Sequence, residues 1–167
     1  MPKIVGIDLG TSTTCAAVVL DGQPAVIPGV RGSRVTPSYI YVMEGGRILV
    51  GENAKAEVIA DPYNTIWATK RLIGRKFDDP SVQEAHERLP YKISSSQKNE
   101  ILVHGRDKLF TPVSVASLIL KFAIRLASKH LNEPVSEAGA MLDAARLAAG
   151  PVKLSAGRKR HALIRLG

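Results

Sequence analysis

Three short strand-like segments follow one another before residue 28. The connections between them are so short that neighbouring strands can pair only antiparallel. The segments cover residues 4–8, 13–20 and 24–27, and Asp21-Gly22 is typical of a tight turn between the second and the third. Parallel neighbours would need a crossover of about a dozen residues. The chain therefore begins as a β-meander.

The next eighty residues predict a mixture of short elements. Strand character at 38–42 and 47–50 flanks Gly45-Gly46 as a hairpin, and residues 52–59 could form a short helix. A helix is predicted over Thr65–Ile73, capped by Asp61 or Asn64 and ended by Gly74. Residues 78–100 look like a polar loop with a strand at 91–94, and a second hairpin is predicted from strands at 101–104 and 108–110 around Gly105.

The strongest helix signal begins after Thr111, which can act as N-cap with Pro112 in the first turn. Apolar residues recur there at helical spacing, and Asn132 and Pro134 mark the end. An Ala-rich helix is predicted from residue 138 to 149, before Gly150-Pro151.

Composition excludes several classes of protein. With 167 residues and 45% hydrophobic content, the chain can build one domain with a real core. It shows no apolar run near the ~20 residues of a membrane span and no leader-like start, so we expect a cytoplasmic protein. The single cysteine, Cys15, allows no internal disulfide, and the four histidines lack metal-ligand spacing.

The net charge of +8 is concentrated at one end of the chain. Residues 138–167 hold six basic residues against Asp143 alone, which gives +5 of the +8. The remainder is close to balanced, so the overall charge alone is no sign of nucleic-acid binding.

The stretch GIDLGTSTT, residues 6–14, combines a strand, a turn and a run of hydroxyls. A tight turn can aim several backbone N–H groups at one anion, and Gly10 would let a phosphate approach closely. Asp8 would repel phosphate unless a cation such as Mg²⁺ lay between them. The alternative is an ordinary hairpin in which Asp and Gly supply turn chemistry, and the nonapeptide alone does not decide between the two.

Four segments in order resemble the DnaK (seventy-kilodalton heat-shock) chaperone family: IVGIDLGTSTTCAAV, SRVTPSYI, LVGENAKAEVIADPYNTIWATKRLIGRKFDDP and SKHLNEPVSEA. The resemblance covers residues 3–137. It implies an α/β, actin-like ATPase (ribonuclease H-like) fold, of which only the first lobe is present. Residues 1–38 and 112–137 would form its base subdomain and residues 39–111 the small upper subdomain.

The resemblance also implies a function. The intact family member binds ATP or ADP with Mg²⁺ and couples ATP hydrolysis to protein folding. Its partners would be unfolded polypeptides, a J-domain co-chaperone and a nucleotide exchange factor, with no membrane and no nucleic acid. By the same resemblance, Asp8 would hold Mg²⁺ through water and Lys70 would be the catalytic lysine; the phosphates would be contacted by Gly10, Thr11, Ser12 and Thr13. Without the family, Lys70 would be interpreted as a solvated helix lysine.

The resemblance ends after Glu137, where the composition changes abruptly to Ala, Gly, Arg and Leu. A GC-rich gene translated out of frame gives such a change, so we expect a frameshift over residues 138–167, with a genuine divergent tail as the alternative. The second phosphate loop and the second lobe would then be missing. Losing about three charged hydrogen bonds would cost at least ~5 kcal/mol, so we expect weak or undetectable ATP binding by this chain.

Two other functions stay open from the sequence. The chain could be another actin-like ATPase, such as a sugar kinase or a filament protein, although the TKRLIGR stretch, residues 69–75, argues against it. It could instead be a non-enzymatic binding module that uses its basic tail on nucleic acid. Four basic residues within 156–165 are few for that role.

Overall fold

The structure, a computed structural model, describes residues 4–135, 137–141, 153–155 and 161–163. Its strands are β1 Ile4–Leu9, β2 Thr13–Leu20, β3 Gln23–Val26, β4 Thr36–Pro37, β5 Ile40–Val42, β6 Ile48–Val50, β7 Thr65–Ile66, β8 Ile93–Ser95, β9 Ile101–Gly105, β10 Lys108–Phe110, β11 Glu137–Met141, β12 Lys153–Ser155 and β13 His161–Leu163. Its α-helices are α1 Glu52–Lys55, α2 Pro80–Arg88 and α3 Pro112–Leu131. Short 3-10 helices cover Val30–Gly32, Glu44–Gly46, Ala56–Val58 and Thr69–Leu72.

The predicted meander forms the main sheet. Its strands lie in the order β11-β1-β2-β3, and β4 pairs with the start of β2. All these pairs are antiparallel except β1 with β11, which are parallel. Residues on β1 alternate between buried and exposed, so Val5, Ile7 and Leu9 face the core while Asp8 is exposed.

Helix α3 packs against β1 and β2 and forms as the sequence predicts. The Thr111 side chain accepts a hydrogen bond from the Ser114 amide, and Asn132 ends the helix in the left-handed region. Its apolar stripe faces the sheet: Val115, Ala116, Ile119, Leu120, Ala123 and Ala127 are buried. Among the described residues, no helix is long and apolar enough to span a bilayer.

Two small antiparallel sheets follow the meander, in the orders β6-β5-β7 and β10-β9-β8. Arg106, in the two-residue turn between β9 and β10, joins them: its Nη2 lies 2.7 Å from Asp61 Oδ2 and its Nε donates to the Val42 carbonyl at 2.8 Å. Buried side chains from both sheets, β1, β2 and α3 form one continuous hydrophobic core.

The helix predicted over Thr65–Ile73 is wrong. Thr65 and Ile66 instead pair with β5, opposite Tyr41 and Ile40. Neither proposed cap is available, because Asn64 donates to the Asp61 carboxylate and accepts from the Arg106 amide. Only Thr69–Leu72 is helical, and it is a 3-10 turn. Sheet pairing has overridden local helix propensity here.

The stretch 78–100, predicted as a polar loop with one strand, also contains the helix α2. Asp79 Oδ1 accepts from the Ser81 amide at 2.9 Å and Pro80 opens α2. This is the same combination of N-cap and proline that identified α3, so the signal was present in the sequence. The expected strand at 91–94 is confirmed as β8, shifted to Ile93–Ser95.

The Ala-rich helix predicted from residue 138 is wrong over residues 138–141. That backbone belongs to β11, whose residues Glu137–Met141 lie opposite Ile4–Asp8. Pairing with an exposed sheet edge outweighs the helix propensity of alanine. The rest of the predicted helix, residues 142–149, lies outside the described residues.

We expect His104 to make the stability of the fold depend on pH. Burial, and to a lesser extent the Lys92 ammonium, lower the pKa of His104 below its ordinary value, and its Nε2 lies 2.7 Å from Ser94 Oγ. The unfolded chain therefore takes up this proton at a higher pH than the folded chain, so stability falls as the pH drops through about 6.5. We expect urea unfolding to show this loss between about pH 7 and pH 5, and His104→Gln to reduce it. Equal slopes in the wild type and in His104→Gln would contradict the assignment.

Candidate functional site

The connection between β1 and β2 is a tight loop of three residues, Gly10 to Ser12. A Cβ built on Gly10 would lie 2.2 Å from the Thr13 carbonyl oxygen, so the loop tolerates no side chain there. Thr11 is half-buried, whereas Ser12 and Thr13 are exposed. The loop therefore presents backbone and hydroxyl groups at the end of a rigid strand pair.

Lys70 lies in the 3-10 turn Thr69–Leu72, which packs against α3. The preceding segment is held in place by Tyr91, whose hydroxyl donates to the Trp67 carbonyl. Ala68 then takes the left-handed conformation, with φ of 57°, and this turns the chain into the 3-10 helix. Lys70 is half-buried as a result.

The loop and the lysine meet at one narrow crevice of about 10 Å³, which has room for about one water. Its walls are formed by Leu9, Gly10, Thr11, Ser38, Thr69, Lys70, Ala116 and Ile119. Of the predicted site residues, the structure thus brings together Gly10, Thr11 and Lys70. Asp8, Ser12 and Thr13 lie on the same strand–loop–strand unit but outside the lining.

Two polar residues of the crevice, Ser38 and Thr69, were not predicted as site residues. Both are buried. Ser38 stands in the segment SRVTPSYI and Thr69 beside Lys70, so each lay within a stretch already singled out by resemblance. A sequence gives no general signal that a small hydroxyl residue in such a stretch will turn inward.

Several other residues of the family-like segments lie outside the crevice lining. Arg71 is exposed. Trp67 stacks on Tyr39, with ring centroids 5.6 Å apart, and Phe77 packs against the core. Cys15 is half-buried beside the Arg34 carbonyl, at 3.6 Å from its Sγ.

The donor set suits an anion. Lys70, Gly10 and Thr11 line the same crevice, and ammonium, backbone N–H and hydroxyl groups bind phosphates in proteins. Among the described residues, no three His, Cys, Asp or Glu side chains gather into a metal cluster. Asp8 is the carboxylate nearest in sequence to the loop. A single carboxylate fits Mg²⁺, which keeps most of its waters beside phosphates. The fold and the crevice define an α/β protein in which a tight loop and a lysine line one narrow crevice.

Comparison with known proteins identifies the family. The family model described as Hsp70 protein matches residues 4–141. The chain is 46% identical over 138 residues to the chaperone protein DnaK of Carsonella ruddii (strain PV), across 83% of this chain and 23% of that protein. The chain belongs to the Hsp70 family.

Family membership confirms the resemblance found in the sequence, and it implies the actin-like ATPase fold, with which the mixed α/β architecture agrees. The match continues to Met141, beyond Glu137 where the quoted motifs end. It does not favour a sugar kinase, a filament protein or a basic binding module. The chain spans 23% of the length of the relative it matches.

Proposed function

We propose that this chain is the N-terminal part of the nucleotide-binding domain of a DnaK-type molecular chaperone. Residues 1–38 and 112–137 would form the base subdomain and residues 39–111 the small upper subdomain of the first lobe of a ribonuclease H-like fold. The observation that carries the proposal is the meeting of Gly10, Thr11 and Lys70 at one crevice, although Lys70 lies far along the chain.

Each predicted site residue has a proposed role. Gly10, Thr11, Ser12 and Thr13 would bind the β- and γ-phosphates of ATP or ADP through backbone N–H groups and hydroxyls. Lys70 would place its positive charge beside the γ-phosphate, where charge develops during phosphoryl transfer. Exposed Asp8 would hold Mg²⁺ through water. When bound, Mg²⁺ supplies further charge neutralisation for the phosphates.

The activity of the intact protein is part of the same proposal. ATP binding and hydrolysis would be coupled to the folding of client polypeptides in the cytoplasm. A J-domain co-chaperone and a nucleotide exchange factor would be its further partners. The chaperone DnaK named above is the relative that supports this extension.

We make a separate proposal for residues 142–167, which follow the family match. The match ends at Met141, and the basic, Ala- and Arg-rich residues beyond it depart from the family pattern. We propose a shift of reading frame there, and sequencing the gene from the codon for Asn132 in all three frames tests it. A neighbouring frame that restores a chaperone-like sequence is expected. An intact frame with no such sequence in either neighbour would show that the tail is genuine.

The nucleotide site is tested by titrating the ¹⁵N-labelled chain with Mg·ATP at millimolar concentrations. Amide shifts are expected at residues 10–13 and 69–72, saturating weakly. Because a charged hydrogen bond contributes about 1.5–3 kcal/mol, Lys70→Ala should weaken the response at least about tenfold. Lys55, exposed at the end of α1, gives the matched control Lys55→Ala, which should titrate like the wild type. Equal titrations by the two variants would show that Lys70 makes no phosphate contact.

A further inference from the structure

We propose that Ser38 is a positioning residue, which holds the loop Gly10–Thr13 in its anion-binding conformation. The consequence for nucleotide binding rests on the proposed function above, whereas the effect on the loop itself does not. The hydrogen bonds from Ser38 to the loop go to backbone carbonyl oxygens. It would act through the backbone of the loop.

Three hydrogen bonds join Ser38 to the loop and its flank. Ser38 Oγ donates to the Gly10 carbonyl at 2.9 Å, and the Ser38 amide donates to the Ser12 carbonyl at 2.9 Å. The Thr14 hydroxyl lies 2.9 Å from Ser38 Oγ. Since the single Ser38 hydroxyl proton goes to Gly10, the Thr14 hydroxyl must donate to Ser38. A relay runs from Thr14 through Ser38 to Gly10.

These bonds fix the direction of the loop's N–H groups. The structure describes no cis peptide bond, so each N–H points opposite to the carbonyl of the residue before it. Holding the Gly10 and Ser12 carbonyls toward Ser38 therefore fixes the directions of the Thr11 and Thr13 N–H groups. Two donors are thereby oriented before any anion arrives, and such preorganisation strengthens binding.

The relay is anchored in the protein interior. Ser38 is 4% exposed and Thr14 is 2% exposed, so water cannot replace these bonds readily. Strand β4 brings Ser38 to the loop, because Thr36 and Pro37 pair with Thr14 and Thr13. Removing the Ser38 hydroxyl would leave the Gly10 carbonyl and the Thr14 hydroxyl without these partners.

The test compares Ser38→Ala with Thr65→Val in the full chain without nucleotide. Thr65 is equally buried and its Oγ1 donates to the Asp61 carbonyl at 2.8 Å, but it lies outside the crevice lining. Hydrogen exchange of the Ser38 amide, which donates into the loop, should accelerate about three- to tenfold in Ser38→Ala beyond any uniform change. The amide resonances of residues 10–13 should shift with it. Thr65→Val should leave both unchanged.

A milder variant keeps the proposal falsifiable if Ser38→Ala does not fold. Thr14→Val removes the start of the relay and leaves the bond from Ser38 to Gly10 in place, so it should shift the same loop resonances by less. Unchanged loop resonances in a folded Ser38→Ala, or in Thr14→Val if only that variant folds, would overturn the proposal. A change spread evenly over all amides, as for a general loss of stability, would also overturn it.

Titration with Mg·ATP distinguishes a failure of the positioning role of Ser38 from a failure of the proposed nucleotide site. A wild type that binds at residues 10–13 and a Ser38→Ala that binds at least about threefold more weakly would support both. If Ser38→Ala disturbs the loop but the wild type shows no response to Mg·ATP, the positioning role stands and the nucleotide site is wrong. Full wild-type affinity in Ser38→Ala would overturn the positioning role.

Discussion

Alanine in place of Gly10 is expected to lower the free energy of unfolding by about 3 kcal/mol, the upper part of the usual range for overpacking. The added Cβ would lie 2.2 Å from the Thr13 carbonyl oxygen, far inside normal contact distance. That oxygen belongs to the backbone at the start of β2, so it cannot swing aside as a flexible side chain could. The loop must open instead. Urea unfolding followed by circular dichroism measures the loss, and Mg·ATP titration should show no response at residues 10–13.

Gly6 provides the matched control on the same strand. A Cβ there would meet its nearest atom, the Ala17 carbonyl oxygen, at 3.9 Å, which is ordinary van der Waals contact. Gly6→Ala should therefore change the free energy of unfolding by no more than about 0.5 kcal/mol. Should the two variants unfold at the same urea concentration, the loop conformation described for Gly10 is wrong.

Removing the side chain of Tyr91 is expected to cost about 3–5 kcal/mol in the free energy of unfolding, as truncation of a buried aromatic does. Tyr91 is 1% exposed and meets Trp67 edge-to-face, with ring centroids 5.5 Å apart. Its hydroxyl also holds the Trp67 carbonyl just before the turn that carries Lys70. Burial raises the pKa of the Tyr91 phenol well above its usual value, so the hydroxyl stays protonated as a donor. Urea unfolding of Tyr91→Ala measures the total loss.

Two further variants divide that loss into its parts. Tyr91→Phe keeps the ring and removes the donor, so it should cost about 1 kcal/mol. Tyr63→Ala removes the same atoms from a residue that is 70% exposed, and it should change stability by less than about 0.5 kcal/mol. If Tyr91→Ala were as stable as Tyr63→Ala, the packing described around Trp67 would be incorrect.

Elements that begin and end at recognisable capping or turn residues were predicted well. The bounds of β2 match the prediction, and α3 follows from Thr111, Pro112 and Asn132. The failures lie where a distant partner decides. Thr65–Ile66 is a strand because β5 lies beside it, and β11 is a strand because the edge of β1 is open to it. Neither segment contains a sequence signal that indicates its partner strand.

The candidate site likewise has a part that local sequence indicated and a part that depends on distant contacts. Local chemistry indicated a turn at Gly10 that could bind an anion, but it left an ordinary hairpin equally open. Lys70 was singled out by family resemblance alone, because a lysine beside an arginine is normally a solvated pair. Their meeting at one crevice depends on α3 and on the Tyr91 contact, which no short motif encodes. Ser38 was missed because its role requires the pairing of β4 with β2.

The position of Trp67 has an optical consequence. It is the single tryptophan of the chain, and it stands between the rings of Tyr39 and Tyr91 just before Lys70. Light absorbed selectively by an indole is therefore emitted from one place, beside the crevice. Both neighbouring phenols are close enough to pass their own excitation to it. The unmodified protein thus carries a built-in fluorescent reporter, whose emission wavelength and intensity should follow any rearrangement of the Lys70 turn without an attached dye.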